Sequence, residues 1–116
     1  MKRHMSSREA DLLTALLNRS AVQDSSRSGS HSWLVEEMDD GRMGSLRLFP
    51  PSASTSDRHM GAKAAGLQFH DSDGVLVIAT LNVDDDGVPF EIDVWKVNSE
   101  SLIAIPQPDF FADVAE

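Results

Sequence analysis

Across residues 7–19 the apolar positions Ala10, Leu13, Leu16 and Leu17 recur three and four apart, while Arg8, Asp11 and Asn18 fall between them. That spacing predicts an amphipathic helix with one dry stripe. Ser6-Ser7-Arg8-Glu9 supplies its start, because the Ser6 hydroxyl can accept from an unpaired backbone N–H while Glu9 reaches back. Beyond residue 32 the period falls to two. Runs at 33–38, 44–49, 67–70, 75–82 and 89–97 predict strands, and Leu46 and Leu48 alternate with Ser45 and Arg47 as a half-buried strand requires. Asp-Gly pairs punctuate the runs at Asp40-Gly41, Asp73-Gly74 and Asp86-Gly87, where glycine tolerates the positive φ of a tight turn. Connections this short force neighbouring strands antiparallel.

These elements predict a single α+β domain over residues 1–116, with the N-terminal helix packed on a four- to five-stranded antiparallel meander. Residues 75–79 are apolar at both parities, which predicts a central strand covered by the helix on one side and by the tail or a second subunit on the other. Pro50-Pro51 ends the second strand, and 102–105 is expected as a last edge strand before Pro106 and Pro108. The polar stretches 23–32 and 50–65 and residues 1–5 read as flexible loops and a mobile terminus. Burying Phe110 and Phe111 would pin the tail, at about 1.5–3 kcal/mol each.

Charge narrows the function classes. Nineteen acidic against ten basic residues leave a net charge of −9, which repels phosphate backbones and anionic lipid, and the basic residues form no patch. We therefore expect neither a nucleic-acid nor a membrane partner, and favour a protein partner with a basic surface. Cysteine is absent and no apolar run approaches a bilayer span, so a soluble cytoplasmic protein is expected.

The most informative stretch for chemistry is 90–97. Strict alternation places Phe90, Ile92 and Val94 on one side and Glu91, Asp93 and Trp95 on the other. Arg47 from the second strand and His70 from the third join the wet side by the same parity. Carboxylates around an indole suit recognition of Arg or Lys, so Glu91, Asp93, Trp95, Arg47 and His70 are the partner-binding candidates. The bland account is a solvated sheet face with a few cross-strand pairs. A small hydrolase-like enzyme using Glu91, Asp93 and His70 is the alternative; the two acids stand about 6.6 Å apart along the strand, but nothing announces a cleft. A homodimer closing the exposed face, or a structural subunit of a homo-oligomer, is a further option.

No cofactor or metal is expected. Asp71-Ser72-Asp73-Gly74 fails as a calcium loop, since Val75 and Asn82 occupy positions that need ligands. Asp84-Asp85-Asp86 reads as a solvated hairpin tip, and His4, His31, His59 and His70 lack ligand spacing.

Taken together, Asp40-Gly41-Arg42-Met43-Gly44-Ser45-Leu46, Asp73-Gly74-Val75, Leu81-Asn82-Val83-Asp84 and Phe90-Glu91-Ile92-Asp93-Val94-Trp95-Lys96-Val97 resemble a family of small bacterial domains of unknown function. Its members look like DGGMGSL … DGV … LNxD … ELDVWKVD … PL, and the likeness covers about residues 12–105. Arg42 stands where the pattern favours glycine and Asn98 where it favours aspartate, and a Ser-rich insertion follows Phe49. The resemblance lends no catalytic residues. Domains of this size and charge are similar to immunity proteins, which neutralise a toxin by covering its active site.

Overall fold

In a computed structural model of the chain, residues 1–22, 32–39, 41–51 and 58–114 are described. Strand β1 is Arg3–His4, and helix α1, Ser7–Asn18, follows at once. The capping box closes as the sequence predicts: Glu9 N–H donates to Ser6 Oγ at 3.1 Å and Ser6 N–H to Glu9 Oε1 at 2.8 Å. Arg3 then clamps Glu9 through two hydrogen bonds of 2.7 and 2.8 Å, so the chain start is tied to the helix and not free as its composition suggested.

Among the described residues six further strands follow: β2 Leu34–Glu37, β3 Leu46–Phe49, β4 Met60–His70, β5 Leu76–Asp84, β6 Pro89–Lys96 and β7 Ala112–Asp113. Every pairing is antiparallel and the sheet order is β1-β2-β3-β6-β5-β4-β7. The α+β class holds, with seven strands where four or five were expected. β4, β5 and β6 form the meander, but β6 returns to lie beside β3. Arg58 secures that return: its guanidinium donates to the carbonyls of Leu48 (2.9 Å) and Pro89 (2.6 Å) and to Asp84 Oδ2 (2.8 Å), joining three strands where β4 begins.

The helix buries Leu12, Leu13, Leu16 and Leu17 on one sheet face, against Trp33, Val35, Leu46, Leu48, Leu67, Phe69, Val77, Leu81, Ile92 and Val94. At about 1.5–3 kcal/mol per buried leucine, an upper estimate, this stripe is the main reason α1 stays docked. Ala65 and Ala79 complete the sheet side of the core.

Several expectations change. β4 starts ten residues into the segment read as a loop, because Met60-Gly61-Ala62-Lys63-Ala64-Ala65 has little β propensity of its own and is held by pairing with β5. Residues 23–31, 40 and 52–57, including parts of both expected loops, lie outside the described residues. Residues 102–105 form no strand; Leu102 N–H donates to the Arg42 carbonyl at 3.0 Å, and a carboxylate described below holds the next two residues. Of the two tail phenylalanines, only Phe111 packs, 5.8 Å from Phe69 between ring centroids, while Phe110 remains 67% exposed. The tail thus lies on the helix side of the sheet. The opposite side of β5 stays partly open, with Leu76 and Ile78 half-buried and no described element over them.

Candidate functional site

Alternation along β6 sends Ile92 and Val94 into the core, and Asp93 and Trp95 outward onto the uncovered face. Trp95 is 47% exposed, whereas the other indole, Trp33, is buried. Register fills in the surroundings. Trp95 stands opposite Ile78, and Ile78 opposite Gln68; Asp93 stands opposite Thr80; Glu91 stands between Arg47 and Asn82. Asn82 Nδ2 donates to Glu91 Oε1 at 3.1 Å. The Ser45 hydroxyl approaches Asp93 Oδ1 at 3.4 Å while accepting from Val94 N–H at 2.8 Å.

Phe90 does not keep to the alternation. The ladder slips between Asn82, opposite Glu91, and Val83, opposite Pro89, so Phe90 is the extra residue of a bulge. Its ring is buried outside the main core and lies under two guanidiniums, Arg47 at 4.3 Å and Arg58 at 5.3 Å from its centroid. Among the described residues Arg47 stacks on Phe90 and forms no ion pair within 4 Å, and its Nε is buried with no hydrogen-bond partner. His70 is exposed at the end of β4, opposite Leu76. Since Glu91 stands opposite Asn82, six residues farther along β5, His70 and Glu91 are about 20 Å apart along the strand. The three residues named for an enzyme do not converge.

At the end of β6 the next residue inward, Lys96, organises a buried ionic knot. Its Nζ donates to Asp71 Oδ2 at 2.9 Å, Asp73 Oδ2 at 2.7 Å and the Ser101 carbonyl at 3.2 Å. The side chains of Lys96 and Asp71 are 1% and 0% exposed. Asp71 also accepts from the backbone N–H groups of Ser72 (2.7 Å), Ile103 (2.8 Å) and Ala104 (3.1 Å). Burial pushes the Asp71 pKa up, but the hydrogen bonds from Ile103, Lys96, Ala104 and Ser72 outweigh it and bring it down to about 2. Lys96 holds its proton more tightly than usual because of Asp73 and Asp71. The two aspartates compared above with a calcium loop are thus paired to a cation from the chain itself. This knot fixes residues 101–104 and the end of β6, and so the strand that presents Trp95.

The Asp84-Asp85-Asp86 tip also differs from expectation. Asp84 is buried, paired with Arg58 and accepting from Asp86 and Val88 N–H at 2.9 and 3.0 Å; only Asp85 and Asp86 are solvated. Among the described residues no group of three His, Cys, Asp or Glu could hold a metal ion. A shallow recess of about 700 Å³ lies at the β2–β3 hairpin, lined by residues including Glu9, Glu37, Arg42, Ser45 and Leu102, apart from Trp95.

What these observations define is a two-layer α+β domain with one sheet face covered by a helix and the other carrying an exposed indole beside carboxylates. The chain belongs to the family described as Domain of unknown function (DUF6984), which matches residues 2–106. No curated protein and no solved structure matches it. Among the described residues no helix is long and apolar enough to cross a membrane.

Of the residues picked from the sequence, Glu91, Asp93, Trp95, Arg47 and His70 do share one sheet face, with His70 at its far end. Sequence reasoning missed Ile78 as the floor beside Trp95, since β5 is apolar at both parities and its register is not written in it. It also missed Arg58, which had no periodic context, and the bulge that turns Phe90 toward Arg47.

Proposed function

We propose that this protein is a non-catalytic protein-binding module that docks a basic partner on its open sheet face, in the manner of an immunity protein covering a toxin. The observation that carries the reading is Trp95, 47% exposed on a face that no described element covers, with Asp93 beside it. A large indole left in water costs stability that nothing inside the fold recovers, and such residues are enriched at the centres of interfaces. The net charge of −9 favours encounter with a cationic surface. Lys96 and its two aspartates act as a support behind the strand.

The test is capture of a partner from lysate by the full chain, compared with a doubly substituted Asp93→Lys, Trp95→Ala chain. Both positions face outward, so the substituted chain is expected to keep its far-ultraviolet spectrum and melting temperature and to lose capture. Undiminished capture by the folded double variant refutes the chosen face. A toxin-like reading frame beside the coding sequence would favour the immunity-type version of this reading.

A further inference from the structure

We infer that the open face is built to receive one arginine side chain of the partner protein, seated between the Asp93 carboxylate and the Trp95 indole. This rests on the docking face proposed above and narrows it to a single contact. The carboxylates of the face are not equivalent. Glu91 is engaged by Asn82 and stands opposite Arg47. Asp93 has uncharged neighbours on both adjacent strands, Ser45 and Thr80, and the one hydrogen bond of its carboxylate among the described residues is the long contact of 3.4 Å from the Ser45 hydroxyl. Arg47, the cation nearest in register, is turned away onto the Phe90 ring. Asp93 therefore keeps most of its acceptor capacity for an outside donor.

Two residues farther along the same face, Trp95 offers a half-exposed π surface. A lysine ammonium can use the carboxylate or the ring as a point charge. A guanidinium can use both, donating along its planar edge to the carboxylate while its face lies on the indole. Its methylene stem would then run over Ile78, which stands opposite Trp95, and Leu76 in the next row. A second copy of this chain is the poorer occupant, because each copy carries a charge of −9.

The experiment is an amide and indole N–H chemical-shift titration of the full chain, at low salt, with two blocked tripeptides, Gly-Arg-Gly and Gly-Lys-Gly. The arginine peptide is expected to shift the Trp95 indole and Asp93 amide signals and to bind about two- to fivefold tighter than the lysine peptide. Asp93→Asn should abolish that preference while leaving the fold intact. Equal response to the two peptides, or a preference that survives Asp93→Asn, overturns the arginine site. Shifts at Ile78 and Gln68 that ignore Asp93→Asn overturn it while leaving the docking face standing. Absence of any shift on this face overturns the arginine site too, and the capture comparison then decides the face independently.

Discussion

Replacing Asp71 by Asn tests whether the buried knot holds the end of β6. In the folded protein the Asp71 pKa is about 2, against an ordinary value of 3.8. A group whose pKa is depressed by folding contributes stability that is complete above the unfolded value and is lost as pH falls through the folded one. The difference of nearly two units corresponds to about 2 kcal/mol at neutral pH. Asparagine keeps the volume but turns an amide NH₂ toward donors, either the Lys96 ammonium and Ile103 N–H or the Ser72 and Ala104 N–H groups. Mispaired hydrogen bonds raise the expected loss to about 2–4 kcal/mol. Urea unfolding at pH 7, followed by circular dichroism, should show a lower midpoint at unchanged slope. The ionic part of the gap between wild type and Asp71→Asn should then shrink as pH falls from about 4 to 2, because in that window the carboxyl of the unfolded wild-type chain takes up its proton while the folded one still resists it. A loss below about 0.5 kcal/mol at pH 7, or a gap that does not change down to pH 2, refutes this account of the knot.

Four further substitutions probe other parts of the fold. A Cβ on Gly61 would lie 2.7 Å from the Asp84 carbonyl oxygen, so Gly61→Ala should cost about 1–3 kcal/mol in thermal or urea unfolding; a neutral result would mean the β4–β5 register there is looser than described. Arg42 sits at φ 65°, in the left-handed region, so Arg42→Gly should raise stability by about 0.5–1 kcal/mol, and a loss would contradict that backbone conformation. Phe111→Ala should destabilise by about 2 kcal/mol, less than a fully buried ring because it is only partly covered, while Phe110→Ala should change little; reversed effects would invert the assignment of the tail.

Much of the fold was legible because each signal was local. The Ser6–Glu9 capping box and the leucine spacing of α1 depend on residues within a few positions of one another, and both appear as read. The outward direction of Asp93 and Trp95 follows from parity alone. The misreadings concern long-range pairing. β1 and β7 are two residues each, too short to show a period, and exist through their partners β2 and β4. The first half of β4 looks like a loop until it pairs with β5. Phe90 obeys alternation in the sequence, but the register slip at Asn82 and Val83 takes it out of line. Parity sets Lys96 on the inward side with Ile92 and Val94, but nothing in the sequence named its partners; only the three-dimensional meeting of the Asp71–Gly74 turn with residues 101–104 creates its site. The Arg42 departure from the glycine-favouring pattern did carry a readable signal, since the backbone there keeps the left-handed conformation.

The central claim is that a partner covers the face bearing Asp93 and Trp95, and the absence of native cysteine makes it directly testable by thiol labelling. A single cysteine at Thr80, which stands opposite Asp93 on that face, should be alkylated readily in the isolated protein and protected in the captured complex, whereas a single cysteine at exposed Ser7 on α1 should react equally in both. Protection at position 7 with position 80 still reactive would contradict the account.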